Sequence, residues 1–141
     1  MNNGEKTTTH PQSWMISDLQ GMQGVRAAIV ATGDGLVITR SDGIGRDEAD
    51  RLAANICGLV SLARAANEHA DGRPLSQIAC DYEGVMLLVT SVGQARNAVI
   101  GALTDPGADL GLVGSTMATM APNLVGHLDV ADRSARTSPV R

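Results

Sequence analysis

The arrangement of apolar runs and turn residues predicts an α+β domain. It is a five-stranded antiparallel sheet with one helix on one face and two on the other, in the order α-β-β-α-β-β-β-α. Three observations carry this expectation. The strand-like runs are joined at Gly33-Asp34-Gly35, Glu83-Gly84 and Gly93-Gln94, and such tight joins make hairpins, hence an antiparallel sheet. The stretch from Arg46 to His69 has no proline and carries Leu52, Ile56, Leu59, Val60 and Ala63 at helical spacing. A last run from about Asp109 repeats Leu110, Val113, Met117, Met120, Leu124 and Leu128 at steps of three and four. Helices outside a strict β-α alternation pack as layers on the faces of such a sheet.

In chain order, residues 1–12 are polar and predict a disordered tail. Ser13 can cap a short helix from Trp14 to Met22, whose apolar side is Met15, Leu19 and Met22. Trp14 can serve as a ligand platform or pack against the body of the domain, the commoner role of a lone Trp at a helix start. Val25 to Thr32 and Leu36 to Ser41 form the first hairpin. Asp42-Gly43 turns the chain into the central helix, with Gly45 at its N-cap and Glu48 at N3. That is half a capping box, since glycine has no side-chain oxygen to give. Asp71-Gly72-Arg73-Pro74 ends the helix, and three strands follow: Leu75 to Tyr82, Val85 to Val92 and Arg96 to Leu103. Val85 to Val92 is apolar on both faces, as a central strand covered on both sides should be. Leu75 to Tyr82 is more polar and suits an edge or a seam between subunits. Asp105-Pro106-Gly107 breaks the chain before the last helix, in which Pro122 removes one hydrogen bond and predicts a kink or a restart. The domain is expected over 13–128, with residues 129–141 a second disordered tail.

The central helix has a second face, small rather than apolar: Ala54, Cys57, Gly58, Ser61 and Ala65. Exposed helix positions ordinarily carry Lys, Glu or Gln. Small side chains there let another backbone approach, although they would also tolerate plain solvent. With Leu75, Gln77 and Ala79 of the polar strand, they form the expected homodimer interface.

Composition points the same way. The chain has 141 residues, no Phe, one Tyr and one Trp, so Val, Leu, Ile, Ala and Met fill its core. Each buries less apolar area than an aromatic ring, and a domain built this way gains by dimerising. The net charge is -4 and no basic stripe with aromatics occurs, which argues against nucleic acid. The first residues lack the apolar core of a secretory signal, and no apolar run approaches a membrane span. Cys57 and Cys80 have no C-x-x-C spacing and read as reduced thiols of a cytoplasmic protein.

The motifs of common chemistries are missing. There is no phosphate-loop pattern, and Gly43-Ile44-Gly45 lacks both the third glycine and the parallel-strand context of a dinucleotide site. His10, His69 and His127 have no metal-ligand spacing. Asp47, Glu48 and Asp50 are too close along a helix to face one another as a catalytic pair. No nucleophile elbow is present. The sequence nominates no catalytic, cofactor-binding or metal-binding residue, and no cofactor is expected.

Three phrases in order carry a family resemblance: GVRAAIVATGDGLVITRS, RDEADRLAANICGLVSLARAA and ARNAVIGALTDPGADLGLVGSTMA. Together they span residues 14 to 128, and the set resembles the Roadblock/dynein light-chain family. It is most similar to the bacterial branch, with its actinobacterial conservon members and gliding-motility GTPase co-regulators. The resemblance implies a Roadblock-like fold and homodimers in which central helices pair and third strands join two sheets. It also implies binding to a small Ras-like GTPase, with a histidine-kinase-like protein as a further partner. Pro122 and Gly45 depart from the family pattern of an unbroken last helix and a Ser-type cap.

The expected function is therefore a non-enzymatic homodimeric regulator or adaptor of a small Ras-like GTPase in bacterial signalling, cytoplasmic and recruited to the membrane only through a partner. Two alternatives stay open: a scaffold for a histidine-kinase-like sensor complex that leaves GTPase activity unchanged, and a small-molecule sensor.

Overall fold

A computed structural model describes residues 13–93 and 98–137, with side chains described as far as His127. A 3-10 turn, Ser13–Ile16, leads into helix α1, Ser17–Gln20. Strands β1 (Val25–Thr32) and β2 (Val37–Arg40) precede helix α2 (Arg46–Ala65), which ends in a 3-10 turn, Ala66–His69. Strands β3 (Gln77–Tyr82), β4 (Val85–Val92) and β5 (Ala98–Thr104) follow, then helix α3 (Leu110–Thr137). The element order is the expected one. The sheet runs β2-β1-β5-β4-β3, and every neighbouring pair is antiparallel.

Alternation along the strands divides the core in two. Ala28, Val30, Leu88, Val92, Ile100 and Ala102 face α1 and α3, where Met15, Ile16, Leu19, Val113, Met117, Met120 and Leu124 cover them. Ala27, Ile29, Ala31, Leu87, Val89 and Val99 face α2, which contributes Ala49, Ala53, Ile56 and Val60. One helix therefore lies on one face and two on the other. The close seating of α2 depends on Gly101 in β5. A Cβ there would stand 2.6 Å from Ile56 Cδ1 and 3.5 Å from Ile29 Cγ1.

The caps agree in part with the sequence. Gly45 is the N-cap of α2, in an extended conformation, with no side-chain bond to the helix. Asp109 caps α3, accepting a hydrogen bond from the Leu112 backbone N–H at 3.0 Å. Several expectations need correction. The first helix is shorter than Trp14 to Met22, since the α-helical part ends at Gln20 before Gly21 and Gly24. Strand β3 begins at Gln77 rather than Leu75, and β5 extends to Thr104. Pro122 neither ends α3 nor restarts it: the helix is continuous from Leu110 to Thr137. Proline lacks one donor, and the rest of the ladder with a packed apolar stripe holds the helix together. Helix α3 also passes residue 128, so 129–137 are helical where a disordered tail was expected. The expected tails at 1–12 and 138–141 lie outside the described residues, as does the start of β5 at Arg96.

Candidate functional site

Among the described residues, strand β3 is an edge of the sheet, paired only with β4. Its other side presents unpaired backbone groups, as an edge or seam strand does. Which groups these are follows from the pairing. Glu83 and Gly84 connect β3 to β4 with φ of 54° and 106°, the positive-φ pair of a tight hairpin turn. The Ser91 N–H donates to the Ser76 carbonyl at 3.0 Å, so the position opposite Ser91 bonds towards β4. Antiparallel ladders alternate, so Ile78, Cys80 and Tyr82 also bond towards β4. The N–H and C=O groups of Gln77, Ala79 and Asp81 therefore point off the sheet.

The β3 side chains alternate as well. Ile78 and Cys80 lie on the α2 face, half-buried, while Gln77, Ala79 and Asp81 are exposed on the opposite face. Tyr82 continues the α2-side row and is 57% exposed. The neighbouring Cys80 thiol holds its phenol above the usual tyrosine range, first by charge interaction and then by hydrogen bonding. Gln77 donates from Nε2 to Thr90 Oγ1 at 3.2 Å. Leu75 precedes the strand and packs half-buried on the α2 side.

Of the small residues of α2, Ala54, Gly58, Ser61 and Ala65 are exposed. Cys57 is half-buried, and its thiol donates to the Gly33 carbonyl at 2.7 Å. A Cβ on Gly35 would lie 3.6 Å from Ala54 Cα and 3.7 Å from Cys57 Cβ. Cys57, Ser61 and Arg64 line a small recess with Thr32 and Gly33. Arg64, on the same flank, donates from Nη2 to Ser91 Oγ of β4 at 2.9 Å, so this flank follows the strand ends from the β1–β2 turn to β4. Gly58 and Ala65 are exposed, and nothing lies within 4 Å of a Cβ on Gly58. At 3.6 residues per turn, Leu52 and Leu59 sit on the opposite flank from Cys57. Both are half-buried, and Leu62 beyond them is 75% exposed. The sequence reading missed Leu62, because its apolar stripe stopped at the positions that cover the chain's own sheet. An exposed leucine one turn from a half-buried one was the available signal.

A cleft of about 590 Å³ separates α3 from β3 and β4, walled by Gln77, Thr90, Gly114, Ala118, Pro122 and Val125. On the same face of the sheet, Trp14 packs against His127 of α3 with ring centroids 4.4 Å apart, although it is 45% exposed. Among the described residues, no group of three or more His, Cys, Asp or Glu is placed to hold a metal ion. His69 lies at the end of the 3-10 turn after α2, 3.3 Å from Glu68. No helix among the described residues is long and apolar enough to cross a membrane.

Residues 13–104 match the Roadblock/LC7 domain model. The chain belongs to the Roadblock/LC7 family. A Roadblock/LC7 domain from Streptomyces avermitilis is 29% identical and superposes with a TM-score of 0.74, covering 82% of this chain and 95% of that one. A second Roadblock/LC7 structure from the same organism is 30% identical, with a TM-score of 0.56 over 78% of this chain and 90% of the other. MglB from Myxococcus xanthus shares the fold at 15% identity, with a TM-score of 0.69 over 83% and 90% of the two chains. No curated protein sequence matches the chain. The Roadblock match covers both the hairpin and the β3 edge, but ends at β5. Helix α3 and its proline lie beyond it.

Proposed function

We propose that this Roadblock domain is a non-enzymatic homodimeric regulator or adaptor of a small Ras-like GTPase in bacterial signalling. The observation that carries the reading is the open β3 edge of the sheet. Outward strand groups there, with a 75% exposed leucine on α2, offer surface for assembly. The family supports the GTPase part. The chain resembles gliding-motility co-regulators that act on a Ras-like GTPase, and a gliding protein MglB from Thermus thermophilus has the same fold. A histidine-kinase-like protein is a further partner in this reading.

The dimer buries β3 and the Leu59–Leu62 flank of α2, with Leu75, Gln77 and Ala79 along the strand and Gly58 at the helix. Ala54, Cys57, Ser61 and Ala65 lie at the margin of that contact. Regulation requires different affinities for the two nucleotide states of the GTPase, because a ligand shifts only an equilibrium whose states it distinguishes. The test is to capture a Ras-like GTPase with the native protein, then titrate it in its GDP and GTP-analogue forms and measure its hydrolysis rate. The expected result is unequal affinity. Equal affinity and an unchanged rate would leave a scaffold and overturn the regulator reading.

A further inference from the structure

We infer that the cleft between α3 and the β3–β4 edge is a binding site for a small uncharged amphiphile, an apolar body with a primary-amide head. It lies on the sheet face opposite α2 and depends on neither the dimer nor the GTPase reading. Helix α3 covers the sheet unevenly. Val113, Met117, Met120 and Leu124 are buried against it, while Gly114, Ala118, Ala121 and Pro122 on the adjoining flank are short and leave a gap above β3. That gap holds about 590 Å³, within the range of about 300 to 1,000 Å³ usual for small-molecule sites. Among the described residues, none that lines it is charged. An ion entering there would lose hydration and gain no counter-charge, so the occupant is neutral.

Two features of the walls select the head group. The first is Pro122. Helix α3 is continuous through it, so the missing N–H leaves the Ala118 carbonyl without the donor normally supplied four residues on. Ala118 and Pro122 both line the cleft, which puts this open acceptor on its wall. The second is the amide of Gln77. A Cβ on Gly114 would stand 3.4 Å from Gln77 Nε2 and 3.6 Å from its Oε1, so this amide reaches across to α3. Nε2 donates to Thr90 Oγ1, which leaves Oε1 as a second acceptor. Thr90 is 5% exposed and accepts that bond; among the described residues its own hydroxyl proton has no acceptor. Two acceptors and one hydroxyl donor complement a primary carboxamide, which offers two N–H groups and one carbonyl. The apolar body of the ligand then lies along Ala118, Ala121 and Val125.

The test is an amide NMR titration of the full chain with three probes at neutral pH: decanamide, N,N-dimethyldecanamide and decanoate. Decanamide should shift the backbone amides of Thr90 and Ala118 and the side-chain amide of Gln77, and the shifts should saturate. N,N-dimethyldecanamide keeps the chain and the carbonyl but has no N–H. It should bind roughly three- to tenfold more weakly, the worth of one hydrogen bond. Decanoate should not bind. Pro122→Ala returns a helical donor to the Ala118 carbonyl. The preference for decanamide should then fall by roughly twofold or more, with the affinity for N,N-dimethyldecanamide unchanged. Ala118→Leu, at an exposed helix position, should keep the wild-type melting midpoint and abolish binding of both amides. No saturable shift at the cleft with either amide would leave at most a groove for polypeptide and overturns the proposal. Decanoate binding as tightly as decanamide overturns it too, as does a preference that Pro122→Ala leaves unchanged.

Discussion

Gly101→Ala tests how α2 is seated on the sheet. The added methyl would lie 2.6 Å from Ile56 Cδ1, where carbon atoms at rest stand roughly 3.5 to 4.0 Å apart. About 1 Å of overlap must be relieved. Ile56 is fully buried, so its side chain can leave its rotamer only into neighbouring atoms. Otherwise α2 lifts and loosens Ala49, Ala53 and Val60. Overpacking of this kind costs about 1 to 3 kcal/mol. Replacing a strand glycine by alanine returns roughly 0.5 to 1 kcal/mol of backbone entropy. The net loss is up to about 2.5 kcal/mol, and each kcal/mol lowers the melting midpoint by roughly 3 to 5 °C for a domain of this size. The control is Ile56→Val, which removes Cδ1 and alone costs about 0.5 to 1.5 kcal/mol. In the double variant the new methyl takes the vacated space, so the two losses should fall short of additivity by about 1 kcal/mol. Thermal melts by circular dichroism at fixed protein concentration measure all three. A Gly101→Ala midpoint at or above wild type, or strict additivity in the double variant, would refute this account of the α2 contact.

Two further substitutions probe the helices. Asp109→Ala removes the cap on the Leu112 N–H and should cost about 0.5 to 2 kcal/mol, read as a lower midpoint in the same melts. Gly58→Leu meets nothing within the single chain and replaces the poorest helix former after proline, so the isolated subunit should gain up to ~1 kcal/mol. In the dimer the same side chain crowds the partner helix, so light scattering should show a shift towards monomer; an unchanged dimer would remove Gly58 from the contact.

The element order was legible because the punctuation is chemical. Asp34-Gly35 and Glu83-Gly84 supply positive φ where hairpins need it, and Gly35 and Gly84 take φ of 90° and 106°. The helix residues that cover the sheet were legible in part from the 3.6 period, since Ile56, Val60, Val113, Met117, Met120 and Leu124 are buried. Boundaries were less so. The helix expected to run to Met22 stops at Gln20, and Leu75 reads as strand by hydrophobicity yet lies before the ladder begins at Gln77. Pro122 reads as a kink or a restart by local chemistry, and the helix does not restart. Packing of Met117, Met120 and Leu124 on the sheet outweighs one missing bond, and no local rule contains that information. Gly101 was not singled out, although an isolated glycine within a strand often marks close approach of another element.

The candidate interface shows where sequence reasoning needs the fold. The small residues of α2 do share a face, as their spacing says. What spacing cannot say is which edge of the sheet that face looks towards, since this depends on how the helix lies across the strands. Cys57 hydrogen-bonds Gly33 and Ala54 abuts Gly35, which turns this flank to the β1–β2 end. Arg64 of the same flank reaches Ser91 of β4, so the flank follows the ends of the strands rather than one edge of the sheet. The small residues at the turn have a reason within the chain itself: they let the Gly33–Gly35 backbone sit against the helix. The exposed Leu62 has no such reason, and neither do the outward groups of Gln77, Ala79 and Asp81. An exposed apolar side chain on the outer side of α2 and a row of outward donors and acceptors on β3 are what the proposed homodimer would cover.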